Sequence, residues 1–170
     1  MKSIMKFNTY LAITALILTA ALVVPAAAQK QVPFKGVLQG HDTDTCFSFP
    51  IICVTTNGTG TGTLLGKFSF TEEVTVDVTT ITATGSAHFI AANGDTIDAT
   101  VTGSGAPTND PDVISITEIY TITGGTGRFA GAQGSFTGER LASAVTFFTS
   151  GSFNGTITSP GAAHAEADED

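Results

Sequence analysis

Apolar residues recur at every second position along most of this chain, and no stretch beyond residue 28 carries the 3.6-residue spacing of a convincing helix. Residues 113–122 show it best. Ile114, Ile116, Tyr120 and Ile122 fall on one face, and Ser115, Thr117 and Thr121 on the other, which predicts a half-buried strand. Gly124, Gly125 and Gly127 then remove Cβ atoms where the chain must reverse, with Thr126, Arg128 and Phe129 in the same turn, and a second strand runs on to Leu141.

The same period predicts the remaining elements. Residues 32–40 form a first strand, with Pro33 near its start, where a missing N–H is tolerated. Residues 41–56 form a loop, and Thr56-Asn57-Gly58-Thr59 reads as a tight hairpin turn. Residues 61–78 make a long strand, with Leu64, Phe68, Phe70, Val74, Val76 and Val78 on a face that Gly66 and Glu72 interrupt, and a strand of that length bends or breaks, Gly66 being the natural place. Residues 80–92 and 96–105 form a hairpin around Ala92-Asn93-Gly94-Asp95, and residues 146–158 close the domain. About eight antiparallel strands joined by short turns must stack as a sandwich or close as a barrel. The in-strand glycines, Gly36, Gly66, Gly85, Gly103 and Gly138, permit the bending that closure needs and favour the barrel.

The ends of the chain differ from this pattern. Lys2 and Lys6, an apolar run and Ala26-Ala27-Ala28 give residues 1–28 the form of a cleavable secretory leader; an uncleaved anchor is the alternative. The expected product is secreted or periplasmic, with a domain over 29–159 and a disordered acidic tail over 160–170. Without the leader, 5 Lys and Arg face 15 Asp and Glu, a net charge of −10. Such a surface is repelled by phosphate backbones and anionic lipids, so neither nucleic acid nor stable membrane insertion is expected. Export also predicts that the only cysteines, Cys46 and Cys53, form a disulfide.

Candidate chemistry is sparse. Glu118 shares the inward face of Ile114, Ile116 and Tyr120, and a carboxylate aimed into an apolar interior acts as acid, base or ligand contact unless it is paired. A register change or a place at the mouth would instead leave it in water. Arg140 shares a face with Phe136 and is placed to pair with Glu118 across the hairpin; an ordinary exposed arginine is the alternative. Arg128 reads as a turn organiser, and His88 as a surface residue. His41-Asp42-Thr43-Asp44 reads as a solvated loop lacking the remaining ligands of a cation site. Nucleophile-elbow, phosphate-loop and zinc-helix signatures are absent, and no metal or cofactor is expected.

Gly124-Gly125-Thr126-Gly127-Arg128-Phe129, followed by Ala132-Gln133-Gly134, resembles the G-G-T-G-x-F-x-x-A-x-G turn of dirigent proteins, of the related allene oxide cyclase-like barrels and of secreted bacterial proteins with the same turn. The resemblance covers about 30 residues. It implies an eight-stranded antiparallel barrel with a central cavity, in families that often form trimers. Dirigent proteins usually carry Arg at the position of Gln133, and an uncharged amide supplies no fixed positive charge there. The functional expectation is a small barrel, non-enzymatic, that binds a small apolar or amphipathic ligand or a surface partner. The alternatives are a cofactor-free cyclase or isomerase using Glu118 and Tyr120, and a structural envelope module with a solid interior. Ile114, Ile116, Glu118, Tyr120, Phe136 and Arg140 are the expected cavity residues.

Overall fold

The computed structural model describes residues 30–158; the expected leader and tail lie outside them. Eight strands follow one another: β1 (Gln31–Ser48), β2 (Ile51–Gly62), β3 (Gly66–Asp77), β4 (Thr82–Ala91), β5 (Thr96–Pro107), β6 (Val113–Gly125), β7 (Gly134–Ser143) and β8 (Phe148–Thr158). Each pairs antiparallel with the next, and β8 returns to β1 from Gln31↔Thr158 to His41↔Phe148, closing the barrel. Closure satisfies the edges a sandwich would leave open, so the barrel is the form taken. A single 3-10 turn, Gly127–Phe129, lies between β6 and β7.

Parity decides what faces inward. One half of the interior is filled by Phe34, Phe68, Phe70, Phe89, Phe136 and Phe153, whose rings meet mostly edge-on or tilted, as Phe34 and Phe136 do at 5.1 Å, while Phe70 and Phe89 stack at 5.8 Å. Leu65 and Phe129, both buried, stopper that end. Burying each such side chain favours the fold by about 1.5–3 kcal/mol, and this aromatic half anchors the barrel.

Three expected boundaries are corrected. Asn57-Gly58 is no turn: it lies within β2, where Gly58 pairs with Gly40 on one side and Phe70 on the other. Its missing side chain makes room for the Phe70 ring, which a Cβ there would strike, so close packing rather than reversal explains the glycine. The strand over 61–78 breaks rather than bends: it is the end of β2, a reversal at Thr63-Leu64-Leu65 beside Gly66, and β3. Leu64 (φ 66°) and Gly66 (φ 65°) carry that reversal, with Thr63 Oγ1 accepting from the Lys35 N–H at 2.9 Å. The third correction concerns residues 41–56, which are not a loop. β1 continues to Ser48 and pairs with the start of β2, and the Cys46–Cys53 disulfide joins directly opposed residues of the two strands.

Candidate functional site

Above the aromatic half, three strands send charged or phenolic side chains into one layer. Glu118 and Tyr120 come from β6, two residues apart on the inward face; Arg140 comes from β7 and Glu72 from β3. Glu72 and Glu118 are each 1% exposed and Arg140 is 8% exposed. The register makes space for them. Glu118 lies opposite Gly103 on β5 and Gly138 on β7, and Arg140 lies opposite Gly151 on β8. A Cβ at residue 103 would stand 2.6 Å from Glu118 Cγ, and one at residue 138 would stand 2.9 Å from the Tyr120 ring. Gly103→Val is therefore expected to cost about 1–3 kcal/mol by overpacking, read as a lower urea midpoint; an unchanged midpoint would show that the layer yields freely.

Arg140 binds Glu118 in a fork: Nε donates to Oε2 and Nη2 to Oε1, both at 2.9 Å. Nη2 also donates to Glu72 Oε1 at 3.0 Å, and Nη1 donates to Thr149 Oγ1 at 3.1 Å. Asp42 on β1 lies 3.6 Å from Nη1 and accepts from the Thr56 hydroxyl at 2.7 Å. The Tyr120 hydroxyl contacts Glu118 Oε2 at 2.9 Å and also Glu72 Oε2.

That phenol has one proton and two carboxyl neighbours. One of the contacts therefore needs a proton from the carboxyl side, and electrostatics assigns it to Glu72. Burial, then the charge of Glu118, pushes the Glu72 carboxyl up to about 7 against the pull of Arg140. Glu72 O–H then donates to Tyr120 Oη, and Tyr120 O–H donates to Glu118. Burial and the charges of Glu72 and Glu118 hold the phenol well above its ordinary value, so it remains a donor. Burial alone would disfavour the Arg140 cation, but the hydrogen bonds and charge of Glu118, then the charge of Glu72, outweigh it and hold the group above its ordinary value. Among the described residues, no buried side-chain nitrogen or oxygen lacks a partner.

The other half of the barrel is hollow. A cavity of about 240 Å³ opens at the end carrying the β1–β2, β3–β4, β5–β6 and β7–β8 connections. Ile52, Val54, Val74, Val76, Ile114 and Ile116 are among its wall residues, Glu118 and Arg140 meet it from the charged layer, and Asp42 and Asp44 line one side. Ile81 (φ 51°) and Phe147 (φ 58°) stand at its rim. Bulky residues rarely adopt this left-handed conformation, and here it lets both side chains line the opening. A wider concavity of about 1190 Å³ on the barrel's outer wall is lined largely by outward-facing side chains such as Val37, Thr59, Ile90, Leu141 and Ser152. It lies open to solvent, and its polar side chains, among them Gln39, Lys67 and Glu139, stand on the outer surface rather than in a buried layer.

Of the residues singled out from sequence, Ile114, Ile116, Glu118 and Arg140 reach the cavity. Tyr120 and Phe136 lie beneath it, stacked at 4.5 Å with their rings 6° from parallel, because their places along β6 and β7 drop them into the aromatic half. The turn Gly124-Gly125-Thr126-Gly127-Arg128-Phe129 belongs to the opposite end, where Phe129 is part of the stopper and Arg128 lies 3.4 Å from Asp95. Gly127 (φ 57°) takes the left-handed conformation that favours glycine, and a Cβ there would also push against the Asp95 carboxylate. His88 is exposed and lies 2.6 Å from Asp98 across β4 and β5. Among the described residues, no group of three or more His, Cys, Asp and Glu is placed to hold a metal ion.

Sequence reasoning passes over Thr149, reads Glu72 only as an interruption and places Asp42 in a solvated loop, whereas Asp42 lies within β1 and lines the cavity. Glu72 shares the parity of Phe68, Phe70, Val74 and Val76, the same signal that singles out Glu118, but among those apolar neighbours it reads as a break in the face. Asp42 continues the inward parity of Phe34, Leu38 and Gly40, a signal hidden by ending the strand at residue 40. No protein-family model matches this chain, and no curated protein matches it.

Proposed function

We propose that this protein is an exported, non-enzymatic barrel that binds a small amphipathic molecule in the open half of its interior. The observation that carries the reading is the cavity of about 240 Å³, apolar on its walls and charged where it meets the Glu118–Arg140 pair. Ligand sites commonly combine apolar walls with a few convergent polar groups. This volume falls just below the usual range of about 300–1,000 Å³ for drug-sized ligands, which suits a single ring or a short chain. Energetics point the same way. A buried ion pair is often no more stabilising than well-packed aliphatic side chains, so the layer is better accounted for by what it presents to a ligand than by fold stability. The leader-like residues 1–28 and the Cys46–Cys53 bond support export, and the resemblance to dirigent and allene oxide cyclase-like turns supports a barrel built around a ligand.

Native mass spectrometry of the protein purified from its own source is expected to show a bound small molecule that Ala83→Trp, which fills the cavity from a wall position on β4, no longer carries. A folded Ala83→Trp protein that retained the molecule would place the ligand elsewhere and end this reading.

A cofactor-free cyclase or isomerase is the second reading, favoured by the Tyr120 hydroxyl on a carboxylate that faces the cavity. The fork from Arg140 argues against it, because a carboxylate so held is a counter-ion before it is a base. Glu118→Gln separates the two: it should abolish acid–base turnover, whereas a binder would largely keep its ligand.

A further inference from the structure

The geometry points to a hydrophobic amine as the cavity's ligand, its apolar body against the aliphatic walls and its ammonium group on the carboxylates. The inference deepens the binder reading above and rests on it.

Negative charge is in surplus along the cavity wall. Among the described residues, Arg140 is the one cation lining the cavity, and four of its five N–H groups are already committed: Nε and Nη2 to Glu118, Nη2 again to Glu72, and Nη1 to Thr149. The rest of its charge faces Asp42, 3.6 Å from Nη1. An anionic head group would find only the remaining Nη1 N–H, which faces Asp42, and the neutral hydroxyls of Ser104 and Ser143. On the acceptor side, Glu118, Asp42 and Asp44 line the cavity against that single guanidinium. The fork neutralises Glu118, which leaves the two aspartates as unbalanced charge. Asp42 accepts one hydrogen bond, from Thr56 to Oδ1, and among the described residues no side chain donates to its Oδ2 or to the Asp44 carboxylate.

The surroundings reinforce this selection. The low-dielectric walls strengthen whatever field the aspartates produce, and the chain as a whole carries a formal charge of −8, which draws cations toward the mouth. A carboxylate ligand of the same shape would meet that field as repulsion, and an alcohol would gain only the apolar burial.

A matched set of cyclohexylmethylamine, cyclohexylmethanol and cyclohexanecarboxylate, titrated calorimetrically into the full protein at neutral pH, tests the assignment. The amine is expected to bind at least about tenfold tighter than the alcohol, with the carboxylate weakest. Asp42→Asn should cut the amine's affinity about tenfold and leave the alcohol's unchanged. Asp44→Asn, at an exposed rim position, gives the same reading if Asp42→Asn does not fold. Ala83→Trp should lose all three compounds. Equal binding of amine and alcohol, or tighter binding of the carboxylate, would overturn the amine assignment and leave the binder reading standing. If none of the three binds, both fall.

Discussion

Arg140→Leu is expected to destabilise the barrel by about 3–5 kcal/mol at neutral pH, the largest loss we anticipate from a single side chain. The leucine would fill much of the same space, so the cost is electrostatic. Glu118 and Glu72 would remain 1% exposed without the guanidinium that donates to both, Thr149 would lose the donor to its hydroxyl, and Asp42 would lose its neighbouring cation. The protein's recourse is to protonate the stranded carboxyls. The loss should therefore shrink as the pH falls, because acid supplies the protons that leucine makes necessary. Adding Glu118→Gln to Arg140→Leu should recover more than half of it, since the pair is then neutral on both sides. Urea unfolding of the three proteins at two pH values checks this. A loss below about 1 kcal/mol, or one that does not depend on pH, would show that water reaches the layer and that the charges are not confined as their burial indicates.

How much of this layer could be read from the sequence depends on how local each signal is. The β6 face was legible because strict alternation over residues 113–122 fixes which side chains share a side, whatever the tertiary fold. Glu118 and Arg140 followed because their strands are neighbours in sequence and a short connection sets their register. Glu72 is different. Its partners Tyr120 and Arg140 lie 48 and 68 residues away, and they meet only because the barrel closes with a particular stagger. No local pattern encodes that stagger; it is the summed register of eight strand pairs. The glycines misled for a related reason. Asn57-Gly58 has the composition of a hairpin turn, yet Gly58 serves the Phe70 ring of the next strand, a need visible only once β2 and β3 are paired. The reversal that does occur, at Thr63-Leu64-Leu65, carries no Asn, Asp or Pro to announce it. Its aliphatic residues are explained by Leu65 stoppering the aromatic half.

The second large effect lies in the pH dependence of stability, and Glu72→Gln isolates it. The Glu72 carboxyl is raised from 4.5 to about 7 in the folded barrel, so between those values the folded state holds a proton that the unfolded chain releases. Stability must then fall as pH rises through that window, by about 1.4 kcal/mol for each pH step of one, or about 3 kcal/mol across the whole of it. Below the window both states are protonated, and above it both are ionised, with the full cost already incurred. Glutamine imitates the protonated acid. Its carbonyl can accept from Arg140 Nη2, and its amide can donate to Tyr120 Oη, which still donates to Glu118. At pH 4 the variant should match the parent; at pH 8 it should be about 3 kcal/mol more stable, with that part of the pH slope removed. The comparison subtracts every other titrating group, including Asp42, Glu118, Tyr120 and Arg140, which face the same layer. If parent and variant lose stability in parallel between pH 4 and pH 8, Glu72 is not the group that holds the proton. The phenol would then be bridging two carboxylates with a single hydrogen, and Arg140 alone would have to hold the layer together.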